Sequence, residues 1–226
     1  MCGRFAFYTP AEAVAALFDA ELEGELAPSY NIAPTQLAPV VRRGEDGRRS
    51  LRGLRWGLVP FWAKDAAIGN RMINARAETL AEKPAFRRAF RKQRCLVLAN
   101  GFYEWQKGPD GKTPWFISSP HGAPLALAGM WERWRAADDA PTLDTCTIIT
   151  TRPNDMMSAL HNRMPAILAG PAVERWLDPA TDVAELAGLL EPVADDMLQA
   201  VPVSRRVNSP ANNDAGLLDA ISPQSQ

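Results

Sequence analysis

The sequence predicts a single domain of mixed helix and strand in which strands dominate and helices are short. Three observations carry this. Apolar runs of strand length recur from Arg4 to Ser204, several of them bounded by turn signals. The helical patterns between them span only a few turns. No repeat and no linker divides the 226 residues, a length that suits one large domain or two small ones with a sizeable core.

Taken in order, residues 4–8 read as a short strand. Thr9-Pro10-Ala11-Glu12 then offers an N-cap, a proline at the first helical position and a capping-box glutamate. The helix that follows is expected to carry Val14, Leu17 and Phe18 on one face and to fade by Gly24. Residues 28–34 read as a loop, because the prolines at both ends exclude regular structure. Strands are expected at 37–43 and 50–59, joined by Glu45-Asp46-Gly47. Asn74-Ala75-Arg76-Ala77-Glu78 reads as a loop entering a helix around 83–92.

Cys95-Leu96-Val97-Leu98-Ala99 is a strand that leads into Asn100-Gly101-Phe102-Tyr103-Glu104-Trp105. If the strand continues, Asn100, Phe102 and Glu104 share one face. Pro109-Asp110-Gly111-Lys112 signals a turn, with strands following near 115–118, 125–134 and 145–151. Helices are expected at 154–160, 171–177 and 182–190, a strand near 200–204, and a loosely ordered tail from about Asn208.

Composition narrows the function classes. Apolar residues make up 46% and charged residues 23%, ordinary values for a globular protein. No apolar run approaches the roughly 18 residues of a membrane span, and the N-terminus lacks the basic-then-apolar pattern of a signal peptide. Three cysteines at distant positions do not form a disulfide framework, and with two histidines they argue against structural zinc. Cys95 and Cys146 lie in apolar strand runs and read as small buried hydrophobes. The expectation is a cytoplasmic protein without a metal or other cofactor. The net charge of -1 hides an uneven distribution: residues 71–94 hold eight basic and two acidic side chains. Such a stretch suits a polyanion, and for residues 87–92 it equally suits a solvated helix face.

Individual residues point to chemistry. Once an initiator methionine is removed, Cys2 carries a thiol and an α-amine on neighbouring carbons. That pair condenses with an aldehyde: the amine forms a Schiff base and the thiol closes it to a thiazolidine. Cys2 at a frayed terminus would have no such role. Glu104 stands among aromatics at a strand end, where desolvation raises a carboxyl pKa and suits it to acid catalysis. A solvent-facing strand glutamate is the plain alternative. His161 follows a short helix, whose dipole favours the protonated imidazole. Trp56-Gly57-Leu58-Val59-Pro60-Phe61-Trp62 supplies one tryptophan to the core and leaves the other open to base stacking.

The sequence resembles the SRAP family, the abasic-site processing proteins that include the bacterial SOS response-associated peptidases. The resemblance rests on Cys2-Gly3-Arg4-Phe5, Tyr30-Asn31-Ile32-Ala33-Pro34, Trp56-Gly57-Leu58-Val59-Pro60, Asn74-Ala75-Arg76-Ala77-Glu78-Thr79, Gly101-Phe102-Tyr103-Glu104-Trp105, His161-Asn162-Arg163-Met164-Pro165 and Pro202-Val203-Ser204. Each motif is weak alone, and their order along nearly the whole chain is specific. The resemblance implies a single α+β domain, mainly antiparallel sheet curled into a barrel-like core with short helices outside. It implies covalent capture of abasic sites in single-stranded DNA, with Cys2 as nucleophile, Glu104 as acid/base, Asn74 as sensing amide and His161 beside them. Arg4, Arg76 and Arg163 fall at phosphate-contacting positions, and Asn31, Pro34 and Trp62 join them on the DNA-binding side. Loss of Met1, by aminopeptidase or self-cleavage, is part of the same implication, as is association with the nucleoid. An N-terminal-nucleophile amidohydrolase is the alternative, with the Cys2 amine as base for its own thiol.

Overall fold

A computed structural model of the chain describes residues 2–109 and 111–221. Met1, Asp110 of the expected turn and the tail's last five residues lie outside the described residues. The first part of the chain holds β1 (Phe5–Phe7), α1 (Ala11–Leu17), β2 (Ala20–Leu22), β3 (Ser29–Ile32), β4 (Leu37–Arg43), β5 (Arg49–Trp56) and β6 (Asn74–Arg76). Next come α2 (Arg87–Lys92), β7 (Arg94–Ala99), β8 (Gly101–Gly108), β9 (Gly111–Ser118), β10 (Leu125–Trp134) and β11 (Leu143–Thr151). The remainder is α3 (Asp155–Ser158), β12 (Met164–Pro165), β13 (Ile167–Leu168), α4 (Pro171–Leu177), α5 (Val183–Gly188) and β14 (Gln199–Pro202).

Strands β11, β10, β7, β4 and β5 pair antiparallel in that order. The ring closes where β11 and β5 run parallel, at Thr145↔Arg55 and Cys146↔Trp56. Closure pairs backbone groups that an open sheet would expose at its edges. The expected barrel-like α+β domain is therefore present. Strand β7 is buried at every position because its two faces meet two different layers. One fills the barrel and the other is covered from outside by α2 and α4. Trp176 of α4 is fully buried there and donates its indole N–H to the Cys95 carbonyl at 2.9 Å. Arg94, counted above with the basic stretch, is buried scaffold: its guanidinium donates to the carbonyls of Phe90, Arg91, Trp176 and Asp178.

A second sheet, ordered β14-β9-β8-β1-β3, lies against this barrel and holds β1 between β8 and β3. Phe5 packs edge-on to Trp56 with ring centroids 5.0 Å apart, which joins the second sheet to the barrel core.

Several local expectations give way to tertiary contacts. Thr9 does not cap α1, which begins at Ala11 with no side-chain cap. Its hydroxyl instead accepts from Asn100 Nδ2 at 2.6 Å, while Asn100 Oδ1 accepts from the backbone N–H groups of Tyr8 and Thr9. The buried stripe of α1 is Ala11, Val14, Ala15 and Phe18, and Leu17 falls off it at 64% exposed. The expected loop at 28–34 contains β3, since its prolines flank the strand and leave Ser29 to Ile32 free to pair with β1. Asn74 to Arg76 likewise form a strand, parallel to β11, where a loop was expected.

The tail expected to be loosely ordered from about Asn208 is tied down as far as Ile221. Asn31 Nδ2 donates to the carbonyls of Val207, Ser209 and Asn212, and Asn213 Oδ1 accepts from Tyr30 N at 2.7 Å. Leu217 is fully buried in a small cluster with Ala6, Tyr103, Val203 and Val207. Leu217→Ala should therefore cost about 2–5 kcal/mol, the usual range for a buried leucine. In thermal unfolding this appears as a drop of about 2–4 °C per kcal/mol for a domain of this size. An unchanged melting temperature would show that the tail contributes nothing to the fold.

Candidate active site

The site forms where the chain enters β1. Cys2-Gly3-Arg4 runs alongside β8, with Tyr103 N donating to the Arg4 carbonyl at 2.9 Å. Glu104 is the next residue on that strand, and both Cys2 and Glu104 are buried. Burial pushes the Cys2 thiol well above its ordinary value, and the negative charge of Glu104 adds to the effect. Thiol and carboxylate thus lie within electrostatic reach of one another.

Strand β6 brings Asn74 to the same point. Asn74 Nδ2 donates to the Cys2 carbonyl at 2.7 Å, fixing the terminal segment from a second direction. Its Oδ1 is buried and has no hydrogen-bond partner among the described residues. An amide so placed presents an acceptor to a ligand and cannot titrate.

His161 arrives by way of α3, whose N-cap Asn154 accepts from Met157 N at 3.0 Å. The His161 N–H continues the helix by donating to the Met157 carbonyl at 2.8 Å. The ring is held at Nδ1, 3.0 Å from the Arg163 N–H and 3.2 Å from the Arg163 carbonyl. Gln106, two residues beyond Glu104 on β8, donates to the Ala159 carbonyl at 3.0 Å and ties the strand of Glu104 to the turn of His161.

This geometry coincides with a sequence match over most of the chain: residues 1–210 fit the family model described as "SOS response associated peptidase (SRAP)". The chain belongs to the SRAP family. Among its relatives, "Abasic site processing protein YoaM" of Bacillus subtilis is 47% identical, covering 97% of this chain and 98% of that protein. "Abasic site processing protein HMCES" of Gallus gallus is 35% identical, covering 84% and 66% respectively. A crystal structure of a protein from Bacteroides thetaiotaomicron superposes with a TM-score of 0.89 at 28% identity, covering 98% of this chain and all of that one.

The positions expected to bind DNA in this SRAP chain divide by environment. Arg76 is exposed, and Trp62 is half exposed where Trp56 is fully buried. The Trp62 loop is held from below by Trp134, whose indole N–H donates to the Ala63 carbonyl at 2.7 Å. Pro34 is half-buried beside β3. Arg4 is partly committed to the protein, donating to Asn31 Oδ1 at 2.8 Å and to the Val207 carbonyl at 2.9 Å. Asn31 is almost wholly buried with its amide engaged at both ends, so it shapes the site by holding Arg4 and the C-terminal segment. Arg163 is paired with Glu78.

Glu78 and Gln106 are the neighbours that sequence reasoning missed. Glu78 entered the sequence reading as a charge and as a motif and loop residue without a role of its own, yet an acid two residues from Arg76 inside a basic stretch was a visible signal. Gln106 gave none. No group of three or more His, Cys, Asp and Glu side chains that could hold a metal occurs among the described residues. None of their helices is long and apolar enough to cross a membrane. A wide groove lined by Arg42, Arg88, Trp131 and Arg133 contains none of the SRAP site residues, and these arginines are paired with Asp144 and Glu132.

If Asn74 anchors the N-terminal segment, Asn74→Ala should loosen it locally by about 0.5–1.5 kcal/mol, the net value of one hydrogen bond. Hydrogen exchange at the Gly3 and Arg4 amides should accelerate while β7 amides stay protected. Unchanged exchange at both would remove the anchoring role.

Proposed function

We propose that this chain recognises abasic sites in single-stranded DNA and captures them as a covalent thiazolidine through Cys2. The observation that carries the reading is the meeting of Cys2, Glu104 and Asn74 at the start of β1. The names of its relatives, abasic site processing proteins from bacteria to vertebrates, agree with it.

While Met1 is attached, the Cys2 nitrogen is an amide and not a nucleophile. Removing Met1, by an aminopeptidase or by the chain's own peptidase activity, leaves a 1,2-aminothiol. An abasic deoxyribose is mostly a closed hemiacetal, and opening it requires a proton on the ring oxygen and loss of one from the C1′ hydroxyl. We assign that exchange to Glu104, whose burial beside Cys2 supports the role. The amine then adds to C1′ and the carbinolamine loses water to give a Schiff base. The thiol sulfur adds to the imine carbon, its proton passes to the nitrogen, and the five-membered ring closes. One water is lost overall and no oxidant is needed. Glu104 relays to that nitrogen the thiol proton that burial holds in place.

The open Schiff base is the stage at which β-elimination would cut the strand, so an AP-lyase activity belongs to the same site and ring closure opposes it. Closure thereby protects the lesion. His161 serves the return path, handing a proton to the adduct as it reopens. Exposed Arg76 and Trp62 meet the strand through phosphate and base.

A denaturing-gel time course with Met1-free protein and an abasic single strand tests the reading. Wild type should give a heat-stable retarded band without reductant, and Cys2→Ala should give none. Glu104→Gln should slow its appearance by roughly 10²–10⁴-fold, the usual share of general acid catalysis. His161→Ala should form the band but exchange slowly onto a competing strand. Wild-type kinetics in Glu104→Gln would remove that residue from the mechanism.

A further inference from the structure

Glu78 occupies the guanidinium of Arg163. Its Oε1 and Oε2 accept from Arg163 Nη1 and Nη2 at 2.5 and 2.9 Å, the two-pronged geometry a guanidinium offers to carboxylate and phosphate alike. Arg163 Nη2 also donates to the Thr150 carbonyl, which fixes the guanidinium to β11. Side-chain exposure is 15% for Arg163 and 52% for Glu78. The arginine is thus the built-in half of the pair and the carboxylate is the half that can swing into water. Exposed Arg76, on the same segment, adds a second cation: Arg163 first and then burial and Arg76 set the balance, with the net effect of holding the Glu78 carboxyl below its ordinary range.

We infer that Glu78 is a selectivity residue whose carboxylate occupies the Arg163 fork until a DNA phosphate displaces it, weakening the hold on undamaged single strands. The inference rests on the DNA-capture reading above. A phosphate gripping Arg163 end-on needs the same two N–H groups that Glu78 now occupies. An undamaged strand must displace the carboxylate and receives only one phosphate contact in exchange. A strand with an abasic site goes on to form a covalent bond at Cys2. The displacement cost falls equally on both strands, but only the abasic strand offsets it with a covalent bond, and a half-exposed glutamate leaves the fork at little cost.

The test uses Met1-free protein, an undamaged oligothymidylate and a matched abasic strand. Glu78→Gln keeps the shape and removes the charge. It should bind the undamaged strand about two- to fivefold more tightly, the scale of one exposed charge pair. Its salt slope should change by well under the roughly 0.7 of one neutralised phosphate, because the same phosphate meets Arg163 in both proteins. Arg163→Ala should cost little beside native Glu78 and much more in the Glu78→Gln background. Glu78→Ala should move affinity in the same direction, which guards against an effect peculiar to glutamine. Unchanged or weaker binding in both Glu78 variants, or an equal Arg163→Ala cost in both backgrounds, would make Glu78 a fixed structural partner and overturn the inference. Failure of wild type to crosslink the abasic strand would instead overturn the parent reading.

Discussion

The structure depends on the burial of β1. A chain terminus is ordinarily the least ordered part of a domain, yet here Phe5 and Phe7 are buried and their strand lies between β8 and β3. Phe5 meets Trp56 of the barrel edge-to-face, a contact worth about 0.5–1.5 kcal/mol beyond its apolar burial. That plug fixes the register of β1 on β8, at Phe5↔Phe102 and Ala6↔Gly101. Register in turn decides that the residues before Phe5 run past Glu104. Moving the strand by one residue would turn every side chain to the opposite face.

Around this terminus the supports are side-chain amides from separate elements. Asn74 holds the Cys2 carbonyl from β6, and Gln106 ties β8 to the end of α3. Asn31 gathers Arg4 and the C-terminal segment. Such amides position without carrying charge, which leaves the electrostatics to a few titrating groups. Glu104 and the Cys2 thiol share a water-poor corner, where burial first and then the charge of Glu104 push the thiol upward. Arg76 is exposed to water, whereas Arg4 and Arg163 are half-buried and engaged with the protein.

The sequence made much of this visible because its signals were local. Strands β4, β7, β10 and β11 lie in their apolar runs, and Trp56 is buried as expected of one tryptophan, while Trp62, which the sequence left undecided, is half exposed. What stayed hidden depended on pairing over long sequence distances. Thr9 has the signature of a helix cap, but Asn100, 91 residues away, takes its hydroxyl. Residues 29–32 gain a strand only because β1 offers them an edge. The tail's polar composition suggested disorder, while Asn31 and the pocket around Leu217 hold it. The motifs suggested which residues to look for, and only the fold shows that Glu78 pairs with Arg163.

The central claim is that a fixed N-terminal Cys2 forms the bond to the lesion. It is tested most directly by digesting the unreduced protein–DNA adduct with nuclease and trypsin and sequencing the modified peptide by tandem mass spectrometry. Trypsin cuts after Arg4, so the account predicts the peptide Cys2-Gly3-Arg4, lacking Met1. It should carry the abasic sugar with net loss of one water, with both nitrogen and sulfur of Cys2 engaged. A sugar found on a lysine, or an adduct that survives only after reduction with borohydride, would contradict it.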